Sequence, residues 1–388
     1  MSEPSGISVA VVGLGFGEDF LPVYLAHPQV REVAVVDTDE RRLTTVADRF
    51  GVEARYTDVA EMLADDRWDA VHVLVPVPLH ADVAVAVLEA GKHCACAVPM
   101  ALELDDLTRV VEAERASGKR YMMMETTVYG REYRYVRDQL DSGRLGTVTG
   151  YRGFHHQNLD GYPEYWRGYP PMKYSTHALA PLLALTGTTV ESVVAHGSGT
   201  LTEDRRGRFD NPFPAEKGLF TLRGSDVLGE VEMSFFQVAR PYIEGYDVHG
   251  DRASVEWPAD HEGPLVVHDL LPLEEVQPET GLRGRRARTD LVVPPDDVSD
   301  LPRELARFVA DFEVVPADGG PALHREAAHG GSHPHLVHEF VSAIVEDRPT
   351  AIDAPTAAAW TAPGICAHES ALAGGARVEV PQFPTGRS

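Results

Sequence analysis

Gly13-Leu14-Gly15-Phe16-Gly17 directly follows the apolar run Ile7–Val12 and precedes Phe20, Leu21, Tyr24 and Leu25 at helical spacing. A strand, a glycine turn and a helix start in that order can cradle phosphates. The first glycine permits the tight turn, and the second lets the backbone approach a pyrophosphate at the helix N-terminus. Asp37 closes the next apolar run, Val33–Val36, twenty residues beyond Gly17. A carboxylate there can bind both ribose hydroxyls and repels a 2′-phosphate, which predicts NAD rather than NADP. Gly13, Gly15, Phe16, Gly17 and Asp37 are therefore candidate cofactor-binding residues. In the strict G-x-G-x-x-G spacing the third glycine falls at position 18, which is Glu18. The glycine stands instead at 17, so a reshaped helix start is expected.

A second set of residues has the types needed for proton transfer. Lys173, Tyr174 and His177 lie within one short segment. Histidine titrates near neutrality, and a lysine can lower the pKa of an adjacent group or act as a base when desolvated. On a helix, positions 173 and 177 share a face, and 174 and 177 are neighbours. The alternatives are a structural histidine, a packed tyrosine and a surface lysine. Upstream, Phe154-His155-His156-Gln157-Asn158 ends an expected strand. Alternation puts Phe154 and His156 on one face and His155 on the other. Tyr162, Tyr165, Trp166, Arg167 and Tyr169 follow. Aromatic faces beside polar edges suit a sugar ring, or they pack a loop over a sheet. His156, Trp166 and Arg167 are the candidate substrate contacts here. His329, His333, His335 and His338 form a further group, in which 335 and 338 can share a helix face. They lack a carboxylate framework, so no metal site is expected, and closing a substrate pocket is the other use.

The elements that must position these residues change character along the chain. Apolar runs at Ile7–Val12, Val33–Val36, Val71–Val75, Cys94–Val98 and Tyr121–Met124 alternate with helical stretches. That order predicts βαβ units and a parallel, doubly wound sheet of the Rossmann type. From about Val148 the signals are longer strands and hairpins. One hairpin turns at Arg223–Asp226 and another at Gly250–Arg252. An α+β domain with a large, mainly antiparallel, open-faced sheet is expected there, with domains at 1–125 and 126–388. Residues 258–300, rich in Pro, Gly and charge, are expected to be irregular. Arg283, Arg285, Arg286 and Arg288 in that stretch read as solvated rather than as a phosphate site. Late helices are expected at Leu336–Val345 and Ala357–Leu372.

Composition sets outer limits. The chain has 388 residues, long enough to bury a sizeable core. Sixty acidic against 35 basic residues give a formal charge of −25, which disfavours nucleic acid and anionic membranes as partners. No apolar stretch reaches membrane-spanning length, and Met1–Gly6 lacks the pattern of a signal peptide. Three cysteines, Cys94, Cys96 and Cys366, fit a reducing compartment, so a cytoplasmic location is expected. Cys94 and Cys96 read as buried strand residues rather than a redox pair.

With Gly13, Gly15 and Asp37 placed, two more segments complete a recognisable set. Val75-Pro76-Val77-Pro78-Leu79-His80-Ala81 resembles the loop after the fourth strand in the Gfo/Idh/MocA family of sugar oxidoreductases. Gly91-Lys92-His93 followed by Ala97-Val98-Pro99 resembles that family's strand ending in Glu-Lys-Pro. The resemblance implies that Pro76, His80, Val98 and Pro99 line the cofactor, and that homodimers or homotetramers form through the second-domain sheet. The family's lysine assists proton transfer from the substrate hydroxyl. Val98 stands in its place here and can neither donate nor accept a proton. Met122-Met123-Met124-Glu125 with Tyr129-Gly130-Arg131, Val98-Pro99-Met100-Ala101 and Tyr174-Ser175-Thr176-His177 together resemble a subgroup, the NAD-dependent glycosidases of the α-N-acetylgalactosaminidase type. That resemblance makes Tyr129 a substrate contact and aligns the subgroup's Tyr-x-x-His with Tyr174 and His177. The subgroup's strand histidine would fall at His156, and its catalytic tyrosine at Phe154, which cannot act as a base. Three functions follow as expectations. The first is an NAD-dependent oxidoreductase acting on a secondary hydroxyl of a sugar, cyclitol or glycoside. The alternatives are an NAD-dependent glycosidase and a non-catalytic nucleotide- or sugar-binding protein.

Overall fold

A computed structural model describes residues 6–260, 263–272 and 285–383. The chain divides into two compact units. One takes the described residues of 1–130, 296–362 and 382–388; the other takes those of 131–295 and 363–381. A single cut near residue 125 would leave 296–362 in the second domain, whereas this segment packs in the first unit. Leu305, Phe308, Leu336, Val337, Phe340 and Val341 share one buried cluster with Val9, Val11, Leu21 and Val35. Each such side chain contributes about 1.5–3 kcal/mol on burial.

The first unit is built on six strands: β1 (Ile7–Val12), β2 (Val30–Val36), β3 (Ala54–Tyr56), β4 (Ala70–Val73), β5 (His93–Cys96) and β6 (Tyr121–Met123). All pair in parallel in the order β3-β2-β1-β4-β5-β6. β1 and β4 are buried throughout, as expected for strands covered on both faces. This is the doubly wound Rossmann order, and its reversal point lies between β1 and β4. Helices Glu40–Phe50, His80–Glu89 and Leu104–Ser117 occupy expected helical stretches. Cys94 and Cys96 are buried in β5, and burial pushes the Cys96 thiol up to about 12. That leaves it inert as a nucleophile at neutral pH.

The second unit holds a nine-stranded sheet. Its strands are β7 (Val148–His156), β8 (Val190–Ser198), β9 (Ala215–Leu222), β10 (Leu228–Ser234), β11 (Ile243–Gly250), β12 (Ala253–Glu256), β13 (Leu265–Leu270), β14 (Ala287–Val292) and, numbered after a small β15–β16 hairpin (Phe312–Val314, Leu323–Arg325) in the first unit, β17 (Val378–Glu379). The order is β14-β13-β12-β11-β7-β10-β9-β8-β17. Only β7 and β10 pair in parallel. Both expected hairpins form, β9–β10 and β11–β12. The expected irregular stretch 258–300 contains β13 and β14 instead. Its strand signal is weak because β14 exposes most of its side chains. There Arg288 pairs with Asp269 and Asp290, and Arg285 donates to the Leu271 carbonyl. Arg283 lies outside the described residues. The helix Thr176–Thr186 packs on β7, β10 and β11. Among the described residues no helix is long and apolar enough to cross a membrane.

Buried histidines tie the first unit's stability to pH. His72, on β4, lies within 3.1 Å of the Tyr24 hydroxyl, and burial pushes its pKa down to about 3. His27 is pushed down to about 4, by burial first and by His338 second. Both stay neutral in the fold, while the unfolded chain binds their protons below about pH 6.5. The stability they permit is therefore complete above about pH 6.5 and is lost as pH falls toward the folded values. His72→Phe should make the stability-versus-pH slope shallower by about one proton, or about 1.4 kcal/mol per pH unit, between roughly pH 6 and 4. Urea unfolding at a series of pH values checks this, and an unchanged slope contradicts it.

Candidate functional site

In the first unit the candidate cofactor residues all lie beyond carboxyl ends of strands. Gly13–Gly17 follows β1, Asp37 follows β2, Pro76 and His80 follow β4, and Val98 and Pro99 follow β5. Gly13 has φ +90°, and a Cβ there would sit 2.5 Å from the Leu74 carbonyl oxygen. A Cβ on Gly17 would come within 2.9 Å of Val11. Gly17 thus does the close-packing work of a third glycine from a position one residue early. Glu18 is drawn aside into ion pairs with Arg49 and Arg325. The helix start is reshaped accordingly, as a short turn at Leu14–Gly17, a 3-10 segment at Glu18–Phe20 and a helix at Leu21–Ala26. Over Gly15 a Cβ would meet only the Arg42 guanidinium, at 4.0 Å. That open surface fits close approach by a pyrophosphate.

Asp37 is buried, and its carboxylate accepts from the Leu14 N–H at 2.8 Å and the Asp39 N–H at 2.9 Å. Arg42 stands 3.4 Å away. Each carboxylate oxygen carries two lone pairs, so capacity remains for ribose hydroxyls. Phe16 is 38% exposed, with its ring against His329 and His333. His80 is buried, with Nδ1 2.8 Å from the Pro99 carbonyl and Nε2 2.9 Å from the Val75 carbonyl. It bridges the loops after β4 and β5, and burial pushes its pKa down. The Val98–Pro99 peptide is cis. Tyr129 follows the 3-10 turn Thr126–Val128 and packs against the first unit's core. The late histidines do not form one group: His335 faces Asp300, His338 faces His27, and His333 stacks on Phe20 and meets the His329 ring. Among the described residues no three potential ligands are grouped to hold a metal.

In the second unit, Tyr174 ends the 3-10 turn Pro171–Tyr174, and His177 opens the helix Thr176–Thr186. Their rings meet with centroids 5.2 Å apart. Lys173 and His177 do not share one α-helical face, because Pro170 and Pro171 start a 3-10 turn and Ser175 separates the two elements. His155, not His156, joins the pair. Its ring lies 5.8 Å from His177 and 6.0 Å from Tyr174. Tyr151, Gly153 and His155 face the helix, where Tyr151 donates to the Ala178 carbonyl and no Cβ would fit at 153. His156 therefore falls on the other face, beside Phe154. Alternation divides the two histidines correctly but does not say which face the helix covers.

Glu244 and Tyr242 were not singled out from the sequence. Glu244 Oε1 lies 3.8 Å from His177 Nδ1, and its Oε2 lies 3.9 Å from His155 Nδ1. The Tyr242 hydroxyl donates to Glu244 at 2.7 Å. All three acidic and imidazole side chains are buried. The missed signal was period-two spacing on β11, where only its register opposite β7 brings Glu244 across from His155. A carboxylate within ion-pair range of two imidazoles can orient a proton-transferring histidine. Trp166 joins the cluster through its ring, 5.2 Å from Tyr174. Arg167 pairs with Glu164 and lines a cleft with Asp160, Tyr162, Asp204 and Phe236.

The glycine turn gives a direct prediction. Gly13→Ala must relieve both the positive φ and the contact with the Leu74 carbonyl. It should destabilise the chain by more than about 2 kcal/mol and weaken NAD binding at least tenfold, roughly. Chemical unfolding and isothermal titration with NAD check this; wild-type values for both contradict it.

Comparison with known proteins agrees with this geometry. Residues 7–125 match the Gfo/Idh/MocA family model, described as an oxidoreductase family with an NAD-binding Rossmann fold. The inositol 2-dehydrogenase of Salmonella typhimurium is 34% identical over 164 residues, 41% of this chain and 48% of that protein. The chain spans about half the length of such curated relatives. A glycosyl hydrolase family 109 protein of Streptomyces niveus is 25% identical over 98% of this chain and 78% of its own length. Among solved structures, a levoglucosan dehydrogenase in complex with NADH and levoglucosan superposes with a TM-score of 0.75 at 20% identity, covering 97% of this chain and all of that one. At that identity the likeness concerns the fold. Residues 7–125 thus resemble the NAD-binding Rossmann segment of the Gfo/Idh/MocA oxidoreductase family.

Proposed function

We propose that this chain is an NAD-dependent oxidoreductase acting on a secondary hydroxyl of a sugar, cyclitol or glycoside. The observation that carries the reading is the open glycine turn after β1 paired with the buried Asp37 carboxylate after β2. Gly13, Gly15 and Gly17 would hold the pyrophosphate, and Asp37 the ribose hydroxyls. NAD, when bound, supplies the hydride acceptor. Oxidising a secondary alcohol also releases a proton from the hydroxyl, and a positioned base contributes on the order of 10²–10⁴-fold.

Val98 offers no such group. Tyr174 and His177 carry the proton in this reading, with Lys173 as a further charge beside them. Glu244 stabilises the imidazolium that His177 becomes on accepting a proton, and the Tyr242 hydroxyl orients that carboxylate. The Trp166 ring offers an apolar surface suited to the C–H face of a sugar. The names of the inositol and levoglucosan dehydrogenases support the substrate class. In the same reading the chain assembles as a homodimer or homotetramer through the sheet face that exposes Leu219 and Leu228.

A second reading is favoured by the family 109 relative, whose alignment spans nearly the whole chain. It is a glycosidase in which transient oxidation of the sugar acidifies a neighbouring C–H, the aglycone is eliminated, water adds and the hydride returns. Phe154, which cannot act as a base, weighs against it.

One time course separates the readings. With NAD, a panel of myo-inositol, levoglucosan and nitrophenyl glycosides is followed for NADH and nitrophenol together. NADH accumulation without nitrophenol is expected. Nitrophenol release that requires NAD and leaves no net NADH would establish the second reading. On the substrate that turns over, Tyr174→Phe and His177→Ala should each lower kcat by on the order of 10²-fold, and His156→Ala by less than about threefold. Equal losses at His156 and His177 would remove the assignment of proton transfer to the helix-covered face.

A further inference from the structure

Glu216, on β9, is fully buried, yet the reading above gives it no role. A buried carboxylate is costly unless donors surround it. Glu216 has two. Its Oε2 accepts from the backbone N–H of Met172 at 2.8 Å, and its Oε1 lies 2.7 Å from His368 Nδ1. His368 belongs to the helix Ala354–Leu372, whose residues from Pro363 onward are part of the second unit. Met172 is the second residue of the turn Pro171–Tyr174, and its N–H precedes the turn's own bond from the Lys173 N–H to the Pro170 carbonyl. One helical turn before His368, Gly364 touches the same segment. A Cβ at 364 would lie 2.3 Å from the Met172 carbonyl oxygen and 2.5 Å from Ser175 Oγ. The turn bearing Lys173 and Tyr174 is thus held on its N–H side by a charge-assisted bond and on its carbonyl side by close backbone packing. Packing alone would be met by an apolar residue at 216. The carboxylate adds direction, because a charged acceptor bonds its donors more strongly and more narrowly than a neutral one.

We propose that Glu216, His368 and Gly364 are positioning residues that fix the turn Pro171–Tyr174 and thereby aim Tyr174 beside His177 for proton transfer. The proposal rests on the reading of Tyr174 and His177 as the proton-handling pair. Glu216 and His368 touch neither substrate nor cofactor in this account. They act by holding the Met172 N–H, two residues before Tyr174.

The test uses the full chain labelled with tyrosine carrying ¹³C at Cζ, titrated by NMR. The Tyr174 signal is assigned by its loss in Tyr174→Phe. Glu216→Leu and Gly364→Ala should both displace the Tyr174 signal and move its titration midpoint. Kd for NAD should stay at the wild-type value, and kcat on the panel substrate should fall on the order of 10–100-fold. Glu216→Gln keeps a carbonyl acceptor for Met172 and should restore most of both. If Glu216→Leu does not fold, His368→Phe and Gly364→Ala carry the same comparison. A Tyr174 titration unchanged in the folded variants overturns the proposal, whatever their activity. Full turnover by Tyr174→Phe would instead overturn the assignment of Tyr174 in the site, while the NMR titration still judges the positioning separately.

Discussion

The constraint on which the loops of the first sheet depend is the approach of the β1 turn to the chain leaving β4. Gly13 lies so close to the Leu74 carbonyl that no side chain fits, and its positive φ is one that L side chains rarely adopt. Gly17 then lets the following turn lie against Val11 and Leu74. These contacts bring the loops after β1 and β4 together where the strand order reverses. An open parallel sheet offers a crevice at that point. The direction of the first helical segment, the placement of Asp37 against the Leu14 N–H and the exposure of Gly15 all depend on that packing. Moving the third glycine one residue earlier keeps the packing and frees position 18 for a carboxylate that binds two arginines.

Much of this was legible because it is local. Buried parallel strands read as continuous apolar runs, and β1, β2, β4, β5 and β6 each coincide with one. The hairpins β9–β10 and β11–β12 were legible from turn residues between strand-like runs. What escaped the sequence is long-range. The packing of 296–362 in the first unit depends on Leu336, Phe340 and Val341 meeting strands some three hundred residues earlier, and no local pattern encodes a partner. β14 escaped because an exposed edge strand need not be apolar, and β13, paired beside it, lies in the same stretch rich in Pro, Gly and charge. In the site, alternation separated His155 from His156, but only the helix lying over Tyr151 and Gly153 decides which one is buried. Glu244 escaped for the same reason, since its neighbours come from β7 and from the helix Thr176–Thr186 rather than from its own strand.

In the proposed reading, Val98 leaves the end of β5 without a proton-transferring group. A lysine at the end of β5 would place a proton-transferring group in the same unit as the glycine turn. With valine there, the first unit supplies backbone geometry and one carboxylate suited to ribose. The second unit concentrates the titratable groups. His155, His177 and Glu244 are buried together, with Tyr174 and Tyr242 half-buried beside them. A buried carboxylate is costly unless donors surround it, and the Tyr242 hydroxyl supplies one to Glu244.

Two carboxylates in the second unit divide a further task. Glu244 faces side chains that can exchange protons, so its charge bears on which ring carries the proton. Glu216 faces a backbone N–H and His368, so its charge bears on where the turn sits. A chain with a formal charge of −25 has abundant carboxylates for its surface, and net charge alone explains neither burial. Each is explained by what it holds: Glu244 by the histidines of β7 and the helix, Glu216 by the turn that precedes them. Because Ser175 links that turn directly to the helix, a shift in one carboxylate's partners reaches the other's through the four residues between Met172 and His177. Proton transfer is sensitive to displacements of less than an ångström. In the proposed reading, with Val98 unable to transfer a proton, Tyr174 and His177 depend on that backbone being fixed.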